Sequence, residues 1–104
     1  MRKKTPGYQN TSVGVAWYRP EQWQRLREIS VDRDELEDTH QEWVRDTEKA
    51  IRELNRNGIQ CVKVTVEVEQ LLSWCQSQNL PVNGEARSRY VAEKLQSEME
   101  EHGE

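Results

Sequence analysis

One spacing in the chain is typical of a helical metal site, the Glu-x-x-His of Glu37 and His40. Helical di-iron bundles need a second such motif and further glutamate ligands. The one other histidine is His102, so the second motif is missing, and nucleophile–base catalysis lacks a base for the same reason. We therefore interpret His40 as a partly buried side chain on an apolar helix face. The sequence predicts no enzyme, no metal site and no cofactor.

Carboxylates are concentrated in the segment around this motif. Its acidic residues are Asp32, Asp34, Glu35, Glu37, Asp38 and Glu42. A calcium loop needs regularly spaced ligands around a glycine turn, and this segment has neither. Negative side chains also stabilise the positive end of a helix dipole. We therefore interpret the cluster as the start of a helix rather than as a cation site.

A basic stripe follows on the same predicted helix. Its members, spaced by three or four residues, are Arg45, Lys49, Arg52 and Arg56. The helix dipole favours acidic residues in the first half of a helix and basic residues in the second. We therefore interpret the stripe as a solvated helix face whose charges match the dipole. The alternative is a strip that touches nucleic-acid phosphates. The formal net charge of −4 argues against a general phosphate binder but leaves this local strip open.

The most unusual local sequence is Trp17-Tyr18-Arg19-Pro20, with Trp23 close behind. Trp, Tyr and Arg are the residue types enriched at binding hot spots. Neighbouring residues of a strand point to opposite faces, so Trp17 and Tyr18 cannot enter the same core layer. One of the two is therefore expected at a surface or beneath a second covering helix.

The face that carries Tyr18 also carries Gly14 and Ala16, whose small size lets a helix approach closely. If a helix covers this face, Tyr18 belongs to the core. If none does, Tyr18 and Arg19 beside a free strand edge form a patch for a protein partner or a second copy. We expect the second case, with Trp23 as a further interaction residue.

The elements that position these residues follow from hydrophobic periodicity. The predicted strands and helices cover, in chain order, 13–18, about 20–30, 33–56, 61–66, about 67–78, and from about 85 onward. This β-α-α-β-α-α order predicts a helix-rich α+β domain over 13–100 with a small two-stranded sheet. The long helical connection permits a parallel pair but does not decide it. Residues 1–12 predict a flexible basic arm, and residues 101–104 a frayed acidic tail.

Local signals predict both ends of the long helix. Asp32 with Glu35 three residues later has the form of an N-cap and capping box. Gly58 can adopt the left-handed conformation that ends a helix, with Ile59 folded back on Leu54.

The composition limits the size of the core. The 104 residues are 34% hydrophobic and 33% charged, so covering of apolar surface by a partner or a second copy is expected. No stretch approaches the length of a membrane span, and the basic start lacks the apolar run of a signal peptide. Cys61 and Cys75 lack metal-ligand spacing. We expect reduced thiols and a cytoplasmic location.

The stretch 15–23, Val-Ala-Trp-Tyr-Arg-Pro-Glu-Gln-Trp, with Trp74-Cys75 and Pro81 downstream, resembles a family of small bacterial proteins. The likeness covers most of the chain after residue 12. No activity is established for that family, so the resemblance implies no site residues. It implies a bacterial, cytoplasmic, single-domain protein.

These observations predict a non-enzymatic protein-interaction or adaptor domain of a bacterial cytoplasm. Its expected partner is another protein or a second copy, with no membrane and no small-molecule substrate. The alternative is a nucleic-acid-associated accessory protein that uses the basic half of the helix 33–56.

Overall fold

Two parallel strands, β1 (Ser12–Trp17) and β2 (Gln60–Thr65), form the centre of the fold. The computed structural model describes the backbone of residues 12–102 and the side chains of residues 12–100. Val15 pairs with Lys63, and Trp17 with Thr65. A parallel pair needs a long crossover, which the helical segment between the strands supplies.

Helices account for most of the rest of the described chain. They are α1 (Trp23–Ile29), α2 (His40–Arg56), α3 (Val68–Ser77) and α4 (Gly84–His102), with short 3-10 turns at Pro20–Gln22 and Arg33–Glu35. The predicted helix-rich α+β class, its β-α-α-β-α-α order and its small two-stranded sheet are confirmed.

The ends of the domain differ slightly from the prediction. Ser12 opens β1, although it was expected in the flexible arm; the other residues of that arm, 1–11, lie outside the described residues. α4 continues to His102, two residues into the segment expected to fray. Residues 103–104 also lie outside the described residues.

The predicted start of the long helix is wrong. α2 begins at His40, and its N-cap is Thr39, not Asp32. The Thr39 hydroxyl accepts a hydrogen bond from the Glu42 amide at 3.1 Å, and the Glu42 carboxylate accepts one from the Thr39 amide at 3.2 Å. This is a complete capping box. Asp32 has no such role because its carboxylate binds Arg87 of α4.

The predicted end of the same helix is confirmed. Gly58 has a φ of 83°, in the left-handed region. The Ile59 amide donates to the Leu54 carbonyl at 3.0 Å, and the Gly58 amide donates to the Asn55 carbonyl at 3.1 Å. These two bonds define the Schellman motif.

α4 covers the sheet face that carries Gly14. A Cβ atom at position 14 would lie 2.8 Å from Val91 and 3.3 Å from Leu95, so the helix lies directly against the strand backbone. Tyr18 is buried on the same side, with 4% of its surface exposed. The expectation that Tyr18 lies at the surface is therefore wrong, because the small residues before it admit a covering helix.

α2 covers the opposite face, and its Trp43 joins the two sides. The Trp17 and Trp43 rings lie 4.9 Å apart, and the Tyr18 and Trp43 rings 5.4 Å apart. Lys63 lies over the Trp17 ring and pairs with Glu48 of α2. Since Trp17 and Tyr18 point to opposite faces, a side chain that contacts both must reach around the edge of β1.

We predict that Thr39→Ala lowers the free energy of unfolding by about 1 kcal/mol, the usual loss when an N-cap hydroxyl is removed. Urea denaturation measures the change. Thr39→Ser retains the hydroxyl and is the matched control, with most of the stability kept. Equal stability of the alanine variant and the native chain would show that Thr39 does not cap α2.

Candidate functional site

The edge of β1 that faces away from β2 carries free backbone groups. The Trp17 carbonyl accepts a hydrogen bond from the Val66 amide at 3.0 Å, so the polar groups of Trp17 and Val15 point toward β2. Backbone groups alternate in direction along a strand. The N–H and C=O groups of Ser12, Gly14 and Ala16 therefore point outward, and no hydrogen bond joins them to another group among the described residues.

These outward groups lie at the base of a groove between β1 and α4. The groove consists of two cavities of about 350 and 430 Å³ that share Gly14. Gly14, Val15 and Ala16 line the first cavity, and Ser12, Val13 and Gly14 line the second. On α4 the two linings follow one another along a single helix face: Arg87, Ser88 and Val91, then Ala92, Leu95 and Met99.

α2 forms the other wall and closes one end. Trp43 and Thr47 line the first cavity. The Nε2 atom of His40 lies 2.6 Å from the Tyr18 carbonyl oxygen, which can only accept, so Nε2 carries the proton. The Tyr18 carbonyl is the next outward-pointing carbonyl after that of Ala16. Because His40 binds it, the unpaired part of the strand edge ends at Ala16. The interpretation of His40 as a partly buried helix residue is confirmed.

A buried ion pair fixes the α4 wall at the same end. Arg87 binds both carboxylate oxygens of Asp32, at 2.8 and 3.0 Å, and both side chains are about 15% exposed or less. Asp32 also accepts from the Gly84 amide at the start of α4, and Arg87 donates to the Ser30 hydroxyl. The hydrogen bonds from Arg87 hold the pKa of Asp32 below its usual value. The charge of Arg87 is thus neutralised inside the protein.

Glu37 lines the first cavity, and its carboxylate forms no ion pair with another described side chain. Its backbone is held by the Trp23 indole N–H, which donates to the Glu37 carbonyl at 3.1 Å. Burial raises the pKa of the Glu37 carboxyl, and the neighbouring carboxylates of Asp46 and Glu42 raise it further. The ionised form of Glu37 is therefore disfavoured in the folded chain.

The predicted aromatic patch is not assembled at the surface. Tyr18 and Trp23 are both buried, with 4% and 3% exposed. Arg19 is half-exposed, and Glu67 accepts two hydrogen bonds from it, at 2.7 and 2.8 Å. Arg19 also pairs with Glu21. Two of the three residues are core, and the charge of the third is already compensated.

The basic stripe is assembled as the spacing predicts. Arg45, Lys49, Arg52 and Arg56 are exposed on the outer face of α2. None of the four takes part in an ion pair within the described side chains.

The strand-edge groove itself was not predicted from the sequence. Two signals pointed to it: the small residues Gly14 and Ala16, and the lack of any charged side chain between Ser12 and Trp17. The residues of α4 that complete it lie more than seventy positions away in the chain, beyond the reach of local patterns.

Among the described side chains, no three His, Cys, Asp or Glu residues are placed to hold a metal ion. No helix in residues 12–102 combines the length and apolarity needed to span a membrane. Comparison with protein-family models, curated proteins and solved structures found no match for this chain.

We predict that Glu37→Gln raises the melting temperature at pH 7. A carboxyl whose pKa is raised on folding lowers the stability of the folded chain at neutral pH, and glutamine removes this effect. Because the pKa of Glu37 is raised on folding, its carboxyl becomes protonated at a higher pH in the folded chain than in the unfolded chain. As the pH falls toward the unfolded pKa of about 4.3, the native protein recovers the lost stability and the difference shrinks.

Thermal melts between neutral and mildly acidic pH measure this effect. Glu93→Gln removes the same charge on the far side of α4, beside Trp74, and is the control for net charge. If the Glu37 variant melts at or below the native temperature at pH 7, its carboxylate is not under this penalty.

Proposed function

We propose that this chain is a non-enzymatic protein-interaction domain that binds an extended segment of a partner as a third strand on β1. The observation that carries the proposal is the set of outward backbone groups of Ser12, Gly14 and Ala16 at the base of a walled groove. In strand addition, backbone hydrogen bonds supply affinity, and the groove walls select side chains.

The two edges of the sheet differ in a way that supports this proposal. Exposed edge strands are commonly protected from pairing by lysine. β2 carries the exposed Lys63 at its centre, whereas β1 has no charged residue along its length. The edge with the groove is therefore the one without this protection.

The walls also restrict what can pair with β1. α4 and α2 cover the two sheet faces and stand on either side of the edge. A single extended segment can enter between them, as in other domains that accept a peptide strand. We place this adaptor function in a bacterial cytoplasm, which agrees with the two free thiols of Cys61 and Cys75.

Hydrogen exchange of the full chain tests the proposal directly. The probes are short peptides selected on the native protein from a random library. We predict that a bound peptide slows amide exchange at Gly14 and Ala16, because both N–H groups then donate to the added strand. The Val15 amide already points toward β2 and should change little. NMR resolves the three amides.

Proline substitution provides the matched variants. Ala16→Pro removes an outward N–H but no bond to β2, and proline is tolerated at such edge positions. Binding should fall at least tenfold, since one backbone bond is lost and the ring blocks the edge. Thr65→Pro removes the equivalent outward N–H of β2 and should bind normally. Peptides that bind both variants equally, or that protect other amides, would refute strand addition.

The exposed basic stripe of Arg45, Lys49, Arg52 and Arg56 favours a second proposal, which is contact with nucleic-acid phosphates. Its four cations share one exposed face of α2. If this proposal holds, affinity for a DNA duplex falls steeply with salt, and Arg52→Gln with Arg56→Gln reduces the salt slope by about two. Binding that is absent, or that does not respond to salt, rejects the strip as a nucleic-acid site.

A further inference from the structure

We infer that the segment bound on β1 is a basic strand, in which apolar side chains alternate with lysine or arginine. The apolar side chains face α4, and the cations face an acidic flank formed by Glu37, just before α2, and by Glu42 and Asp46 within it. This inference rests on the proposed strand addition and names the chemistry of its partner.

The α4 wall fits apolar side chains. Side chains of an added strand alternate between the two walls, because they point to opposite faces of the extended sheet. Of the lining residues there, Val91, Ala92, Leu95 and Met99 are apolar and Gln96 is polar, and Met99 is 56% exposed. Val13 is 40% exposed at the same end of the groove. Arg87, which also lines this wall, is neutralised by Asp32.

The α2 wall fits cations. Glu37 lines the groove, and the carboxylates of Asp46 and Glu42 on α2 raise the pKa of its carboxyl. Asp46 directly precedes Thr47, which also lines the groove. No ion pair within the described side chains neutralises these three carboxylates. A lysine or arginine of the partner would relieve their mutual repulsion.

The same charges argue against a second copy of β1 as the occupant. β1 runs Ser-Val-Gly-Val-Ala-Trp and carries no basic residue. Pairing of β1 with its copy would therefore bring no cation of the strand itself near Glu37. A basic strand from a different protein satisfies both walls.

Three peptides of about seven residues, with blocked ends, test the inference. Each alternates valine with a second residue, which is lysine, threonine or glutamate. We expect the lysine peptide to bind about tenfold more tightly than the threonine peptide at low salt, as two exposed ion pairs would provide. The glutamate peptide should bind most weakly, and added salt should narrow the range. Calorimetry measures affinity, and exchange at Gly14 and Ala16 locates the site.

Variants of the acidic flank identify the source of the preference. Glu37→Gln combined with Asp46→Asn should bring the lysine peptide to within about threefold of the threonine peptide, whose own affinity should hold. Glu93→Gln, on the far side of α4, should leave the preference intact. Equal binding of all three peptides with protected Gly14 and Ala16 would refute the basic partner and leave strand addition standing. If no peptide protects these amides, strand addition is refuted as well.

Discussion

The absence of a side chain at position 14 is the constraint on which this structure depends. α4 lies so close to β1 that a Cβ atom at Gly14 would approach Val91 to 2.8 Å. Glycine inside a strand costs about 0.5–1 kcal/mol in chain entropy, and close contact of the helix offsets that cost. The contact buries Val91 and places one face of α4 along the length of β1. The close approach of α4 to Gly14 therefore produces both the core on this side of the sheet and one wall of the groove.

The groove then follows from the sizes of the elements. A helix is about 10 Å wide, whereas neighbouring strands lie about 4.8 Å apart. Helices that cover both faces of a two-stranded sheet therefore extend beyond its edge and leave a slot between them. Trp43 closes one end of this slot by contacting both Trp17 and Tyr18.

Local signals predicted most of the fold, and contacts between distant residues decided the rest. The order of elements and the Gly58 cap were predictable because a few neighbouring residues determine them. The start of α2 was not, since Asp32 and Thr39 both have capping patterns and Arg87 of α4 binds the first. The small residues before Tyr18 indicated a close helix, yet not which helix. Of the candidate site, the sequence predicted the basic stripe but not the edge groove, whose base on β1 and wall on α4 come from opposite ends of the described residues.

Under the proposed function, the charge of Glu37 links stability to binding at this groove. Its carboxylate is partly buried beside Asp46 and Glu42, and no cation among the described side chains neutralises it. Arg87, which lines the same cavity as Glu37, is held by Asp32 instead. Natural proteins retain such unfavourable groups where function requires them, at some cost in stability. On that proposal, a partner cation that reaches Glu37 would recover the free energy that the unbound domain loses, and the destabilised carboxylate would favour the bound state.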